Sequence, residues 1–459
     1  MGRLGSFNKD NYLGLVVLHI IFGVAIYFFT PLSRLYFIIA FVYFLWKILF
    51  SRQERKTVEV LLACSYFTGI EVFFRMTDGG IAYEASKYLV ILFMLLGMFF
   101  KGMSGRGYPY FIYLILLVPS ILVASMTLGF SANFRTAVAF VLSGPVCLGI
   151  AALFCYDRRI SRKHLLQCVN YIALPSITMT VYLFLYNPSI KDTLSGTASN
   201  AATSGGFGPN QVSTALGLGM FAIVVRLFMK SPSIFLKVLN LVILGGMTFR
   251  AIVTFSRGGV FAAIIVVAAF LTIYFIKSSP KRKQQIAASF MLFLVAIAIT
   301  WFISSIQTFG LIDKRYSNQD SLGRDKGDIT TGRLDLFEEE IEGFLDSPFL
   351  GIGISKTQYI RVERDGKRLP SHNEVGRLLS EHGILGITIL LILIIKPFAY
   401  RAANKRNVYF YAFFCFWFAT INHSGMRIAA PALLYGMSLL NVVYEKNPVH
   451  RKQVRKQIK

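Results

Sequence analysis

Apolar stretches of about 20 residues recur along this chain, and they constrain its fold more than any other feature. A helix needs about 20 such residues to cross a hydrocarbon core of roughly 30 Å. Within a bilayer only helices and closed barrels satisfy their own backbone hydrogen bonds, and a barrel would show short alternating segments instead. Only 15 % of the residues are charged. The sequence therefore predicts an all-α polytopic membrane protein.

Fourteen segments have the composition of membrane spans, so we expect about 12–14 transmembrane helices. The basic amino terminus leads into the first of them, which is too long for the core of a signal peptide and is interpreted as a retained helix. The fourteen predicted spans are residues 12–29, 34–50, 57–74, 85–100, 109–129, 136–155, 165–187, 210–228, 234–253, 258–276, 285–304, 374–396, 408–422 and 427–444.

Basic residues are concentrated in alternate connections between the predicted spans. With the amino terminus inside, the inner segments hold 28 of the 48 basic residues and 4 of the 23 acidic ones. Short cytoplasmic loops carry such an excess of Lys and Arg. We therefore expect a multi-pass protein of the bacterial inner membrane with both termini cytoplasmic and the loop 305–372 outside. The charge is a topology signal that also attracts anionic lipids, and no clustered soluble face indicates nucleic-acid binding.

Four stretches organise the chain in this prediction. Residues 1–204 hold about seven amino-terminal spans and the start of an external loop, and residues 205–304 hold core spans with the PN and SRGG motifs. Residues 305–372 form one large periplasmic loop. Residues 373–459 hold the last spans and a basic cytoplasmic tail.

The large loop contains one amphipathic segment. Leu334, Phe337, Ile341 and the pair Phe344 and Leu345 recur at helical spacing, and the Glu residues between them, at 338–340 and 342, are predicted to form a solvated face. Because these acids follow one another and no DxD or HExxH motif occurs outside, we expect neither a metal nor another cofactor. Connections of this length are usually functional or disordered.

The TFSRGG motif, residues 254–259, places Arg257 at the start of a helix on the external side. Free N–H groups at a helix start favour anions, Ser256 can act as the N-cap, and the glycines admit a close ligand. These features favour an oxyanion or phosphate pocket. The alternative, equally compatible with the pattern, is an arginine that snorkels or pairs with an acid such as Glu71.

His372 precedes the twelfth predicted span at the same external face. A histidine with a pKa near neutrality can accept a proton from a hydroxyl, although a capping or surface histidine is the commoner fate of a lone His. His382 is a weaker candidate, and His423 with Arg427 nearby is a possible supporting pair. Arginines and a base suit the displacement of a diphosphate by a hydroxyl, because such a leaving group needs charge stabilisation and no protonation.

The order of the motifs resembles the O-antigen ligase/polymerase superfamily. A PN element at Pro209 and Asn210 is followed by SRGG, by GRLDLFEEEIEGFLDSPFLGIG and by SHNEVGRLLSEHGILGI. The resemblance covers residues 205–395 and implies a GT-C-like fold and a metal-independent, inverting glycosyltransferase. It also implies an undecaprenyl-diphosphate-linked glycan donor, and as acceptor a glycan, lipid A core or another hydroxyl.

The resemblance, carried over position by position, implies that Arg257 and Arg333 contact the diphosphate of the donor. It implies that His372 is the base that activates the acceptor. Asn210 and Asn373 match further positions of the pattern. The residues alone add Arg250 as a diphosphate candidate, and Ser256 and Arg377 as supporting candidates. The chain departs from the pattern of the superfamily in two ways: in the number of predicted spans, and in having Leu-Phe where a Trp often follows the loop arginine. The choice between a ligase and a polymerase therefore stays open.

A transporter or flippase of lipid-linked oligosaccharide is the rival interpretation. Transporters hold ionisable residues near the midplane and often show inverted repeats. Here the candidates share one face and the sequence shows no repeat, so the pattern favours the glycosyltransferase.

Overall fold

Helices make up most of the protein in a computed structural model that describes residues 11–129, 133–187, 189–190, 194, 196–231, 233–330, 332–366, 369 and 371–444. The α-helices within these residues are α1 Tyr12–Phe28, α2 Leu32–Phe50, α3 Lys56–Met76, α4 Ala85–Lys101, α5 Tyr108–Leu116, α6 Val118–Thr127, α7 Phe134–Cys155, α8 Arg162–Tyr186, α9 Pro209–Met229, α10 Ile234–Ile252, α11 Arg257–Ile276, α12 Pro280–Gln307, α13 Leu311–Tyr316, α14 Arg333–Asp346, α15 Lys356–Asp365, α16 Glu374–His382, α17 Ile384–Ala403, α18 Phe410–Ile421 and α19 Ala430–Ser438.

Ten helical stretches in the described part of the chain are long and apolar enough to cross a membrane. Two shorter helices, α1 and α18, are apolar as well. These spans and the predominance of helix confirm the predicted all-α polytopic membrane fold. All fourteen predicted segments contain helix.

The central helices of the bundle are α3 and α9. The apolar stretch of α3 is wholly buried, and α3 packs against α8 and α4, while α9 packs against α10, α11 and α8. A helix surrounded on all sides by protein must satisfy its polar groups internally. In α3, Arg75 accordingly pairs with Glu71 one turn away.

The twelfth predicted span, residues 374–396, is two helices and not one. Gly383 has a φ of +59°, which favours glycine because other residues rarely adopt it. The chain turns there, so that α16 packs against α14 of the large loop and α17 forms the apolar span. The sequence interpretation missed this break, although the charged residues between Glu374 and His382 distinguish α16 from the apolar span that follows.

The large loop is largely helical, with α14 at the position of the predicted amphipathic helix. The prediction that its glutamates are all solvated is wrong for Glu340, which is buried and lies 3.5 Å from Arg361 of α15. Glu339 bonds to the same guanidinium at 2.6 Å. Arg361 thus fastens α14 to α15.

A two-stranded parallel sheet closes the other end of the bundle. Strand β1, Arg159–Ser161, pairs with β2, Asn441–Val443. The charge pattern predicts that the segment containing β1 is cytoplasmic, and β2 lies at the end of the fourteenth predicted span, next to the predicted cytoplasmic tail. That span, residues 427–444, is α-helical only over Ala430–Ser438 and ends in this strand. Lys277 likewise donates to the carbonyl of Lys405, which joins two further segments of that predicted side.

Candidate functional site

A cavity of about 540 Å³ lies where α9, α11, α13, α14 and α18 converge. Six candidate residues from the sequence line it, although up to 213 positions separate them: Asn210, Ser256, Arg257, Arg333, Asn373 and His423. Further lining residues include Arg315, Phe261 and Phe337. The structure therefore brings most of the predicted site together at one end of the helix bundle.

Arg257 is the first residue of α11 and faces this cavity. Its Nη2 donates a hydrogen bond of 2.7 Å to the carbonyl oxygen of Ile329 in the large loop. Pairing with Glu71 does not occur, because that carboxylate bonds to Arg75 and to the backbone N–H of Ala429. Among the described residues no carboxylate lies within 4.0 Å of the Arg257 guanidinium.

Two more arginines line the same cavity. Burial, and then the charge of Arg257, lowers the pKa of Arg333. Burial, and then the charges of Arg257 and Arg333, lowers the pKa of Arg315. The pKa of Arg315 and that of Arg333 are lowered partly by neighbouring positive charge, and a bound anion would offset that repulsion. The cavity is electrostatically suited to a polyanion.

Arg315 lies in α13, directly after a long apolar helix, and its Nε donates to the carbonyl of Phe255 at 3.1 Å. The sequence interpretation did not single it out, because it is one of many basic residues in the large loop. Phe255 itself has a φ of +57°, a strained conformation for a bulky residue. The turn before α11 is therefore held by a residue of the site.

Ser256 has the N-cap position of α11, but the predicted capping bond is absent. Its Oγ donates to Oδ1 of Asn210 at 2.7 Å and accepts a bond of 2.9 Å from Oγ of Ser213. These bonds join α9 to the start of α11. The result is that the N–H groups of the first turn of α11 are left without this side-chain acceptor.

The two glycines of SRGG have different surroundings. A Cβ on Gly258 would overlap the ring of His423 at the wall of the cavity. A Cβ on Gly259 would overlap Ser213 of α9, including its backbone carbon. At Gly259 the small residue therefore permits close helix packing, and only Gly258 borders the cavity.

His372 lies immediately before Asn373, which lines the cavity. Its ring Nδ1 is buried without a hydrogen-bond partner. Burial, followed by the charges of Arg427 and Arg333, lowers the pKa of His372 to about 3. Arg427 also donates to the carbonyl of Ser371 at 2.8 Å. The lowered pKa favours the neutral imidazole, which is the form that a base requires.

His423 lines the cavity in the turn after α18. Its Nδ1 donates to the carbonyl of Ala419 at 3.0 Å, and its Nε2 is 3.2 Å from Oγ1 of Thr214. Burial lowers the pKa of His423 to about 4. Because both ring nitrogens have partners, His423 is less free than His372 to exchange a proton.

Several sequence candidates are not among the residues that line this cavity: His372, Arg250, Arg377, His382 and Arg427. Arg377 is buried in ion pairs with Glu374 and Glu381. His382 is fully buried, and Arg250 lines a different cavity.

Asn373 does line the cavity. Its side chain caps α16 by accepting from the N–H groups of Val375 and Gly376.

The fold and this cavity define a polytopic membrane protein with a polycationic site at one end of its helix bundle. Residues 239–391 match the model of the O-antigen ligase family. The match contains Arg257, Arg315, Arg333 and His372, and it confirms the resemblance of this chain to the O-antigen ligase/polymerase superfamily. No curated protein matches the chain.

The family match supports an O-antigen ligase- or polymerase-type function in polysaccharide biosynthesis of the cell envelope. It suggests a glycosyltransferase-like enzyme. In general terms, such a function implies a lipid-linked glycan donor and a glycan acceptor.

Proposed function

We propose that this protein transfers a glycan from an undecaprenyl-diphosphate carrier to a hydroxyl acceptor at the periplasmic face of the inner membrane, with both termini in the cytoplasm. The reaction inverts the configuration at the anomeric carbon and needs no metal. The acceptor hydroxyl belongs to a glycan, to lipid A core or to another molecule. The observation that carries the proposal is the convergence of Arg257, Arg315 and Arg333 on one cavity.

The three arginines suit a diphosphate as leaving group. Guanidinium groups bind phosphate oxygens in a bidentate manner and hold their charge at any relevant pH. As the bond from the anomeric carbon to the diphosphate breaks, negative charge grows on the diphosphate oxygen. Preorganised cations next to that oxygen stabilise the transition state more than the ground state.

The walls of the cavity suit a lipid-borne substrate. Phe261 and Ile265 of α11 and Leu334 and Phe337 of α14 line it beside the arginines. Phe261 is half exposed and belongs to a candidate membrane span. A polyprenyl chain can therefore leave the cavity along α11 while the diphosphate stays among the cations.

His372 is proposed to act as the base. The acceptor oxygen bonds to the anomeric carbon, its proton moves to the imidazole, and the carbon–oxygen bond to the diphosphate breaks. The products are a new glycosidic bond, a protonated His372 and a free polyprenyl diphosphate. Because the donor brings negative charge next to Arg333, it offsets the cations that lower the pKa of His372, so the base is stronger when the donor is bound.

Reconstitution tests the proposal. Purified protein is incubated with an undecaprenyl-diphosphate glycan, candidate acceptors and a metal chelator, and the products are analysed by mass. We expect a new glycosidic product that is lost in His372→Ala and in Arg257→Ala, while both variants stay folded in the membrane. Movement of a labelled lipid-linked glycan across vesicles without a new bond would instead establish the transporter.

A further inference from the structure

A second cavity opens between α8, α10 and α12. Its volume is about 630 Å³, within the range of about 300–1,000 Å³ that small-molecule sites occupy. The walls are mostly apolar and include Val242 of α10 and Ile299 of α12, which are 67 % and 53 % exposed. Because all three helices are candidate membrane spans, the mouth of the cavity faces lipid.

A buried cation lies at the wall of this cavity. Arg250 is only 1 % exposed. Its Nη1 donates to the carbonyl of Asn187 at 3.3 Å, its Nη2 donates to the carbonyl of Thr203 at 3.4 Å, and its Cζ lies 5.3 Å from the centroid of the Phe184 ring. The Nε has no hydrogen-bond partner.

No carboxylate lies within 4.0 Å of Arg250 among the residues that the structure describes. A buried charge is costly unless it is paired, and the carbonyl bonds and the ring satisfy it only in part. An anion from outside the chain would complete the pairing. The required ligand therefore combines hydrocarbon, for the walls, with one anionic group, for the guanidinium.

We infer that this cavity binds an anionic phospholipid of the surrounding leaflet, with its phosphate at Arg250 and its acyl chains along α10 and α12. Apolar walls favour hydrocarbon, and guanidinium favours phosphate. The occupant takes no part in the reaction, because the linings of the two cavities share no residue. A phospholipid of the bilayer is always present beside this cavity, and it can bind there without reaching the candidate functional site.

The lipid has a structural consequence for the candidate site. Helix α12 is mostly exposed along its length, and its protein contacts are chiefly with α10 and α13. At its end, Nε1 of Trp301 donates to Asp313 of α13 at 2.9 Å, and Ser305 donates to the same carboxylate. A lipid between α10 and α12 braces this helix and, through α13, supports Arg315.

Two variants test separately whether lipid binding requires the cation and whether it requires the open volume of the cavity. Arg250→Gln removes the cation and keeps a polar side chain. Gly245→Leu fills the cavity, since a Cβ there has only Oγ1 of Thr300 within 4 Å, at 3.5 Å. The matched controls are Arg324→Gln, at an exposed arginine of the large loop, and Ala288→Leu, at an exposed position of α12 away from the cavity.

Photo-cross-linking tests the inference. Each full-length protein is placed in phosphatidylcholine nanodiscs that contain a trace of phosphatidylglycerol with a photoreactive acyl chain, and labelled peptides are identified by mass spectrometry. We expect label on the lining residues of α10 and α12. Labelling should fall at least about tenfold in Arg250→Gln, because a hydrogen bond to a charged group is lost. It should fall by a similar factor in Gly245→Leu, because the leucine fills the space of the acyl chain. The controls should stay within about twofold.

Unchanged labelling in both cavity variants would overturn the inference. So would displacement of the label by a polyprenyl diphosphate together with no displacement by unlabelled phosphatidylglycerol, because the cavity would then belong to the carrier. No glycan is present in this experiment. Its outcome is therefore independent of whether the chain is a glycosyltransferase.

Discussion

The guanidinium of Arg257 donates a hydrogen bond of 2.7 Å to the carbonyl of Ile329, 72 residues further along the chain. The bond joins the first turn of a candidate membrane span to the large loop, four residues before Arg333. The cavity is consequently shared between the bundle and the loop. A site of this kind depends on the loop being docked, and not only on the arginines being present.

Replacing Arg257 by Gln should abolish most glycan transfer. The variant keeps a polar side chain but removes the charge proposed to face the diphosphate. Loss of one preorganised group that stabilises developing charge costs roughly 10²–10³ in kcat. The measurement is the initial rate of product formation with a saturating donor. Arg324→Gln, an exposed charge of the same loop, is the control and should retain its rate within about twofold.

Arg315 should matter as much as the arginines that the motifs indicate. Arg315→Ala removes a cation from the cavity and the bond to Phe255 that holds the turn before α11. We expect a loss of roughly 10²–10³ in kcat, with Arg315→Lys intermediate because a point charge remains but the planar fork is lost. A rate for Arg315→Ala equal to that of the unmodified protein would remove this residue from the proposed site.

The sequence was sufficient to predict the membrane fold and a large part of the cavity. Spans follow from apolar length, which any membrane helix must satisfy. Arg257 was recognisable from its motif at a helix start, and Arg333 from the resemblance of GRLDLF to the pattern of the superfamily. The amphipathic helix α14 was likewise visible in its periodicity.

What the sequence could not supply was the identity of neighbours in space. Arg315 has no motif, and its role follows from the fold of α13 against the turn at Phe255. Ser256 looked like an N-cap, yet its hydroxyl accepts from Ser213 and donates to Asn210, both of α9. Glu340 looked solvated, yet α15 covers it with Arg361. In each case a contact between distant segments decides the outcome.

The pH dependence of transfer should differ between kcat/KM and kcat. A base works unprotonated, so each profile falls as the pH falls through the pKa of His372. In the free protein that pKa is lowered to about 3, so His372 imposes no acidic limb on kcat/KM above about pH 4. With the donor bound, the diphosphate offsets the nearby cations and raises the pKa. The acidic limb of kcat should therefore lie at higher pH.

The residual activity of His372→Gln provides the control for this pH experiment. Its rate should be about 10²–10⁴ lower, and its kcat profile should lack the limb that His372 contributes. The ionisation of the donor diphosphate is common to both proteins and cancels in the comparison. An identical acidic limb in the variant would show that another group carries it.

Gly259 should tolerate no side chain, because α11 and α9 approach each other at this position. A Cβ in Gly259→Ala would overlap the backbone carbon and Oγ of Ser213, and overpacking of this kind costs about 1–3 kcal/mol. We expect a lower unfolding temperature in detergent, measured by thermal denaturation. Gly105→Ala is the control, since nothing lies within 4 Å of a Cβ there. Equal unfolding temperatures for the two variants would contradict the packing argument.

Arg377 should act through stability and not through contact with substrate. It is buried between Glu374 and Glu381, and removing one partner of a buried ion pair typically costs about 3–5 kcal/mol. Burial already raises the pKa of Glu381 to about 7, and Arg377→Met removes the cation that opposes this rise. A raised folded pKa means that the folded state binds more protons, and stability is regained as the pH falls. Thermal unfolding of Arg377→Met measured from pH 8 to pH 5 should therefore show a deficit that shrinks toward acid. A deficit that is constant over this range would contradict the electrostatic explanation, and normal stability combined with lost transfer would place Arg377 in the reaction itself.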